Sequence, residues 1–466
     1  MKKYLAIDIG ASSGRHIIGT VDDGKIALKE MHRFPNLLDH VDGHLLWNTE
    51  RLFNEILAGM KKCGDAGELP YSVGIDTWAV DYVLLDENDN VIGKTYGYRD
   101  SRTEGIPEEV YKIIPEEELY QRTGIQKQNF NTIFQLYALK LQEPEVLSKA
   151  KTFLMLPDYF QFLLTGVKKQ EYSNAVSTGL VSALTGDWDK EIMERLGLPV
   201  DIFLPISEPG TVVGTLLPEI QEKVGFCAKV VMPATHDTGS AVAAVPSDDS
   251  EPLYLSSGTW SLLGMVSSSP VLSRKAQAAN FSNEGGYDRT IRFQKNIMGL
   301  WIIQNLKREL EKYSFDDLCN MAIENKDFPS RVDVDEPRFL APENMQQAVK
   351  DACRDNGLPV PENDGELLAV VYESLSNSYA KSVQELEDIT GKTWDTLHIV
   401  GGGSADWYLD KITAQKTGKK VLAGPKEATA LGNLLAQMIS DGTVKDLAEG
   451  RKIIKNSFEI KEYTNE

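Results

Sequence analysis

Two stretches lying half a chain apart share one layout, and that layout limits the folds open to this sequence. "YLAIDI" (residues 4–9), a turn over Gly10 to Gly14 and "RHIIGTV" (15–21) read as strand, small-residue turn, strand. "PLYLSSGTWSLLGMV" (252–266) reads the same way. The first pair is followed by a third strand, "KIALKEMHRF" (25–34), and a helix over "NTERLFNEILAGMKKCG" (48–64), with Asn48 or Thr49 as its cap. More strands follow within residues 71–93, and "LHIVGGGSADWYLDKITAQKTG" (397–418) reads as strand, triple-glycine turn, helix. Strand pairs followed by strand–helix alternation predict mixed α/β sheets. The layout repeats without any visible repeat of residues.

A chain of 466 residues is too long for one hydrophobic core. Two α/β domains are expected, residues 1–246 and 247–466, facing each other across a cleft, with the boundary in the polar stretch "VPSDDSEP" (245–252). The tail "SFEIKEYTNE" (457–466) is polar and expected to be loose. With 49 basic and 69 acidic residues the net charge is −20. Nucleic acid and anionic membrane surfaces are poor partners for such a chain, because they need a basic face to displace counterions. An anionic small molecule needs only a local positive pocket. No stretch has the length of a membrane span or a signal-peptide core, and none of the four cysteines lies in a C-x-x-C pair. A reduced, cytoplasmic protein is expected; the composition leaves its oligomeric state open.

Three loops could hold phosphate. In "DIGASSGR" (8–15), glycines let backbone N–H groups approach an anion, Ser12 and Ser13 add hydroxyls, and Arg15 adds a guanidinium fork. Asp8 at the strand end could hold Mg²⁺ through water, since Mg²⁺ takes one or two carboxylates together with substrate phosphates. The loop is neither a P-loop nor a dinucleotide fingerprint. "SSGTW" (256–260) is a second such loop, and "VGGGSAD" (400–406) is a third that permits close contact with a planar group or a phosphate. Each taken singly is also what a plain turn needs. Together they suggest a nucleotide between the halves.

Asp237 is the candidate for chemistry. "KVVMPAT" (229–235) reads as a strand and "SAVAAV" (240–245) as the start of a helix, so Asp237 falls near a helix N-terminus, where a carboxylate is expected to stay ionised. It could accept a hydroxyl proton during phosphoryl transfer, or it could be an N-cap. In "GIDTWAVDY" (74–82), Asp76, Trp78 and Asp81 suit a sugar's hydroxyls and C–H face, or else a core tryptophan with exposed aspartates. Arg99, Asp100 and Arg102 read as an ion-pair latch or as substrate contacts. Asn296, Leu300 and Gln304 are four apart and are expected to share one helix face.

These segments, with "LMLPDYFQFLLTG", "EYSNAVSTGL", "NEGG" and "AGPKEATALGN", resemble the FGGY carbohydrate kinases in order, from residue 5 to about residue 433. "GASSGR", "DTWAVD" and "NIMGLW" resemble the branch that acts on L-rhamnulose. The resemblance implies two actin-like, ribonuclease-H-like ATPase domains and ATP- and Mg²⁺-dependent transfer to the 1-hydroxyl of L-rhamnulose. It implies Asp237 as general base, with His236, Thr238, Ala79 and Asn296 as sugar contacts. It assigns Ala11, Ser12, Ser13, Gly14 and Arg15 to the first phosphate loop, Thr259 to the second, Gln304 to a nucleotide contact and Gly402 to the adenosine loop. Asp406 departs from the asparagine common in the family. Rival readings are the same chemistry on L-fuculose or a xylulose, or a non-catalytic nucleotide-binding scaffold.

Overall fold

The structure, a computed structural model, describes residues 1–464. It contains two compact units. The first comprises Met1–Ala244, Val266–Phe293 and Thr429–Ser457, and the second Val245–Met265, Gln294–Ala428 and Phe458–Glu466. Contacts change over between residues 244 and 245, but neither unit is continuous in sequence, unlike the two uninterrupted halves expected. Segment Thr429–Ser457 returns to the first unit because the sheet needs covering on both faces and helix Ala428–Ser440 covers one of them.

The first unit is organised by a six-stranded sheet with the spatial order Val212–Thr215, Lys229–Val231, Ser72–Thr77, Lys3–Ile9, Ser13–Asp22, Lys25–Pro35. Strand Lys3–Ile9 runs parallel to Ser72–Thr77 and antiparallel to Ser13–Asp22, placing Asp8 opposite both Asp76 and Arg15. Residues 4–9 are all buried, as for a strand covered on both faces. Leu5, Ile7 and Ile9 join Val73, Ile75 and Val230 in one core. Tyr4 and Ala6, on the opposite face, pack with Ala430, Leu434 and Met438 of helix Ala428–Ser440. Burying a side chain of this size fully contributes about 1.5–3 kcal/mol. The Asp23–Gly24 turn of the next hairpin has φ of 47° and 69°, the left-handed pair that an Asp-Gly turn supplies. Helix Thr49–Asp65 is capped by Asn48, whose side chain accepts from Arg51 N–H, and buries Leu52, Ile56, Met60 and Cys63 at helical spacing.

The second unit repeats the central motif. Leu253–Ser257 runs antiparallel to Trp260–Ser267 and parallel to Thr396–Val400, which pairs in parallel with Lys420–Ala423. Helix Asp364–Thr390 is capped by Asn363 at one end and by left-handed Gly391, φ 70°, at the other. The tail expected to be loose adds a strand here: Lys461–Tyr463 pairs with Val421–Ala423, satisfying that edge's backbone groups. Residues 465 and 466 lie outside the described residues. No helix among the described residues is long and apolar enough to cross a membrane.

Candidate active site

In the first unit, Ile9 ends a buried strand and Gly10 to Ser12 turn the chain back. Asn36 ties the turn down: its N–H donates to Ser12 O at 3.0 Å, and its side-chain amide donates to Gly10 O at 2.9 Å. Ser12 is exposed, while Ala11 and Ser13 are half-buried. Gly14 is required, since a Cβ there would meet the Phe34 ring at 2.1 Å. Arg15, the guanidinium fork expected to suit phosphate, lies across from Asp8 and binds it with Nε at 3.0 Å and Nη2 at 2.9 Å. Register explains this, because Asp8 and Arg15 are cross-strand partners.

Asp237 is not an N-cap. Helix Asp237–Ala243 begins with it, and His236 occupies the cap position without a side-chain cap bond. The Asp237 Oδ1 accepts from Thr238 N–H at 2.6 Å and from Thr238 Oγ1 at 3.2 Å, and its side chain is 28 % exposed. Its pKa is pushed up to about 7, first by burial and then by the charge on Asp8, against the pull of the Thr238 donors. The full ionisation expected from the helix end is therefore corrected: desolvation and a neighbouring carboxylate outweigh it. Asp76 is fully buried and held well above the usual carboxylate range by burial and by Asp8. Asn433 donates to its Oδ2 at 2.6 Å, and its Oδ1 has no partner.

The connection from strand Lys229–Val231 to Asp237 is held by buried polar groups. Glu171, wholly buried, accepts from Thr235 N–H at 3.0 Å, Thr235 Oγ1 at 2.7 Å and Ser173 Oγ at 2.6 Å. Ser173 Oγ accepts from His236 N–H at 3.2 Å. His236 Nδ1 lies 3.0 Å from Arg292 Nη2, and its Nε2 lies 3.6 Å from Asp237 Oδ1. At the far end of the helix, Arg451 donates to Ala243 O at 3.1 Å. Glu171, Ser173, Arg292 and Arg451 went unread as site residues. Signals that could have found them were the quoted segment "EYSNAVSTGL", which contains Glu171 and Ser173, and an arginine between two apolar residues in "IRF".

Ala79 sits half-buried in a strained turn. Val80 has φ 68°, a left-handed conformation that costs a β-branched residue roughly 1–2 kcal/mol. Thr132 Oγ1 at 2.7 Å and Gln135 Nε2 at 3.2 Å donate to Val80 O and hold it there. Asp81 is neither exposed nor open to a ligand. Its Oδ2 accepts from Trp47 Nε1 at 2.6 Å, Trp78 Nε1 at 2.9 Å and Tyr98 N–H at 3.0 Å, and its Oδ1 accepts from Gln135 at 3.0 Å. Trp78 is core, its ring 4.1 Å from that of Trp47. In the 99–102 segment, Asp100 accepts from Leu45 N–H and from Arg102 N–H, while the Arg102 guanidinium donates to Gln135 and lies 3.9 Å over the Tyr96 ring.

In the second unit three backbone turns meet. Leu300 N–H donates to Gly258 O at 3.1 Å and Trp301 N–H to Thr259 O at 3.1 Å, seating the start of helix Trp301–Glu309 on the Gly258–Thr259 turn. Gln304, half-buried, stands on the first turn of that helix. Asn296 does not share its face: it lies in strand Ile291–Met298, and Gly299 breaks the helical spacing by passing against the Ser261 backbone. Gly401 has φ 86°, and a Cβ on Gly403 would meet Ser257 Oγ at 1.9 Å, so these glycines allow the triple-glycine turn to lie on the Ser257 strand end. Gly402 is exposed, with open space where a Cβ would be. Asp406 turns inward, capping helix Trp407–Thr417 through Leu409 N–H at 3.1 Å and accepting from Tyr372 Oη at 3.0 Å.

Residues 3–244 match the N-terminal domain, and residues 253–440 the C-terminal domain, of the FGGY family of carbohydrate kinases. The sequence is 49 % identical over 466 residues to a protein named Rhamnulokinase from Halalkalibacterium halodurans, covering 100 % of this chain and 99 % of that one. It is 47 % identical over 460 residues to a Rhamnulokinase from Oceanobacillus iheyensis, covering 98 % of this chain and 97 % of that one. The crystal structure of ligand-bound xylulose kinase from Lactobacillus acidophilus matches with a TM-score of 0.81 at 16 % identity, covering 100 % of this chain and 94 % of that one, which is a likeness of fold.

Proposed function

This chain belongs to the FGGY family of carbohydrate kinases, and on that premise we propose that it transfers the γ-phosphoryl group of ATP to the 1-hydroxyl of L-rhamnulose. The products are L-rhamnulose 1-phosphate and ADP, and the hydroxyl proton goes to Asp237. The observation that carries the chemistry is the Asp237 carboxyl, partly open and pushed up to about 7, where it is both available as carboxylate and basic enough to take a proton near neutral pH. The choice of sugar rests on the two relatives named Rhamnulokinase at 49 % and 47 % identity.

The other roles follow the positions of the groups. Thr238 spends its N–H and hydroxyl proton on Asp237, so it orients the base and can offer the sugar only its oxygen lone pairs. Ala79 would meet the sugar through the backbone of the turn that Val80 strains. His236 and Asn296 complete the proposed sugar contacts. Ala11, Ser12, Ser13, Gly14 and Arg15 would serve the phosphates, with Thr259, Gln304 and Gly402 serving the nucleotide. A cytoplasmic setting, where ATP is abundant, belongs to the same reading.

Mg²⁺ is implied by the family. Among the described residues no three His, Cys, Asp or Glu side chains are arranged to hold a metal ion. Mg²⁺ asks for less, because phosphates and water fill most of its shell. Asp8 fits as its anchor, beside Asp76 with its unpartnered buried oxygen, and a cation there would have to share Asp8 with Arg15. When bound it would neutralise charge on the phosphates.

The test is ADP release with ATP and Mg²⁺ across L-rhamnulose, L-fuculose, L-xylulose, D-xylulose, D-fructose and glycerol. L-Rhamnulose should give the highest kcat/KM by about tenfold or more. Another ketose in first place would reassign the sugar, and ATP binding without any sugar-stimulated ADP release would overturn the kinase reading.

A further inference from the structure

Among the described residues Arg292 is the largest side chain buried with essentially no exposure, and the proposed reaction gives it no part. A guanidinium has five donors, no acceptor and a permanent charge, so every group it bonds to has to accept. Its Nε donates to Gly285 O at 2.8 Å, which fixes the fork's orientation. Its Nη2 then points at His236 Nδ1 from 3.0 Å. A proton on that ring nitrogen would face an N–H donor, so Nδ1 carries a lone pair and the proton of the neutral ring resides on Nε2.

We propose that Arg292 is a positioning residue that fixes His236 as the neutral, Nε2-protonated imidazole, making that ring edge a hydrogen-bond donor to a sugar oxygen beside Asp237. The sugar's place rests on the function proposed above; the tautomer does not. Three constraints converge on this ring. Its backbone N–H is held by Ser173 Oγ, itself anchored on Glu171. Its Nδ1 is held by Arg292. Its Nε2 is left 3.6 Å from Asp237 Oδ1, too far for a hydrogen bond and near enough to share one ligand. Burial, together with the Arg292 charge, holds the imidazole well below its ordinary range, in keeping with a ring that stays neutral. The nearby buried Glu284 feels the same charge and sets part of the field in which Arg292 sits.

The consequence for specificity is concrete. Asp237 takes a proton from the reacting hydroxyl, whereas His236 offers one, so the bound sugar presents a donor and an acceptor oxygen side by side. A ring free to switch tautomer would accept in half of its states and lose that discrimination. It would also give the site a second base beside Asp237.

The first measurement is a long-range ¹H–¹⁵N spectrum of the full chain labelled with ¹⁵N-histidine, without sugar, with His236→Gln identifying the signals. Nδ1 should show the shift of a nitrogen with a lone pair and Nε2 that of a protonated one. The opposite tautomer, or an imidazolium, overturns the proposal, and neither result requires an Arg292 variant to fold. Kinetics then test the role. Glutamine places an amide N–H where Nε2 lies, and asparagine places one nearer Nδ1. His236→Gln should therefore keep sugar KM at least about tenfold lower than His236→Asn. Arg292→Lys should raise sugar KM more than it lowers kcat, with ATP KM unchanged; a fall in kcat at constant sugar KM overturns the positioning role. If no sugar is turned over while the Nε2-protonated signal is present, the function proposed above fails and the tautomer assignment survives it.

Discussion

In the first unit the candidate chemistry hangs on side chains: Asp8 on Arg15, Asp76 on Asn433, Thr235 on Glu171, His236 on Arg292. In the second unit the corresponding loops are made of backbone, with Gly299, Gly401 and Gly403 letting strand ends and turns touch where side chains would collide. The units share a strand motif, and under the proposed function they would put it to different uses. A base has to have its pKa set, which takes burial and charged neighbours held at fixed distances. A nucleotide cradle needs N–H groups and clearance, which small residues provide with no charge to balance. Substitutions should accordingly change rate and folding in the first unit, and nucleotide affinity in the second.

The largest effect should come from Asp237→Asn, which removes the base while leaving its volume. A loss in kcat of at least about 10²-fold with little change in sugar affinity is expected; near-normal kcat would return Asp237 to a purely structural role. Asp81→Ala comes next. It strands the indole N–H groups of Trp47 and Trp78 and the Tyr98 N–H inside the core, at a cost of about 3 kcal/mol in urea unfolding. A loss below about 1 kcal/mol would mean that the turn at Ala79 and Val80 holds itself.

The pH profile sharpens the same contrast. Because the Asp237 pKa is raised to about 7, the acid form dominates below that pH and cannot accept a proton. In the free enzyme kcat/KM should fall roughly tenfold per unit on the acid side of pH 7 and level off above it. A profile flat from pH 5 to pH 8 would be inconsistent with this carboxyl as the base. The smallest effect belongs to the second unit. Gly402→Ala adds a methyl that meets no protein atom within 4 Å, so the melting temperature should hold while ATP KM rises about fivefold. A lowered melting temperature with unchanged ATP KM would show that Gly402 serves the fold and leaves the nucleotide untouched.

Much of the architecture was legible because local rules carried it. The helix at 49–65 has its Asn48 cap, and both strand pairs fall within a residue or two of the positions read from alternation and glycine placement. Where the reading failed, a long-range contact had overruled the local pattern. The four-residue spacing of Asn296, Leu300 and Gln304 looked helical, yet Asn296 belongs to a strand. The tail at 461–463 looked unattached until the edge at 421–423 gave it a partner. Asp81 had the look of an exposed acid on a strand, and donors from Trp47, Tyr98 and Gln135, together with neighbouring Trp78, make it a buried hub instead.

By itself the sequence determined the strand and loop layout, the family resemblance and the position of Asp237 at a strand–helix junction, because these depend on periodicity and on residues close in the chain. The tertiary structure decided the state of the reacting groups. The Asp237 pKa, the His236 tautomer and the isolation of Asp76 depend on which groups burial brings together, and their partners lie far away in the chain: Arg292 is 56 residues from His236, and Asn433 is 357 from Asp76. Charge and proton positions follow from distances and desolvation, and only the folded chain sets those.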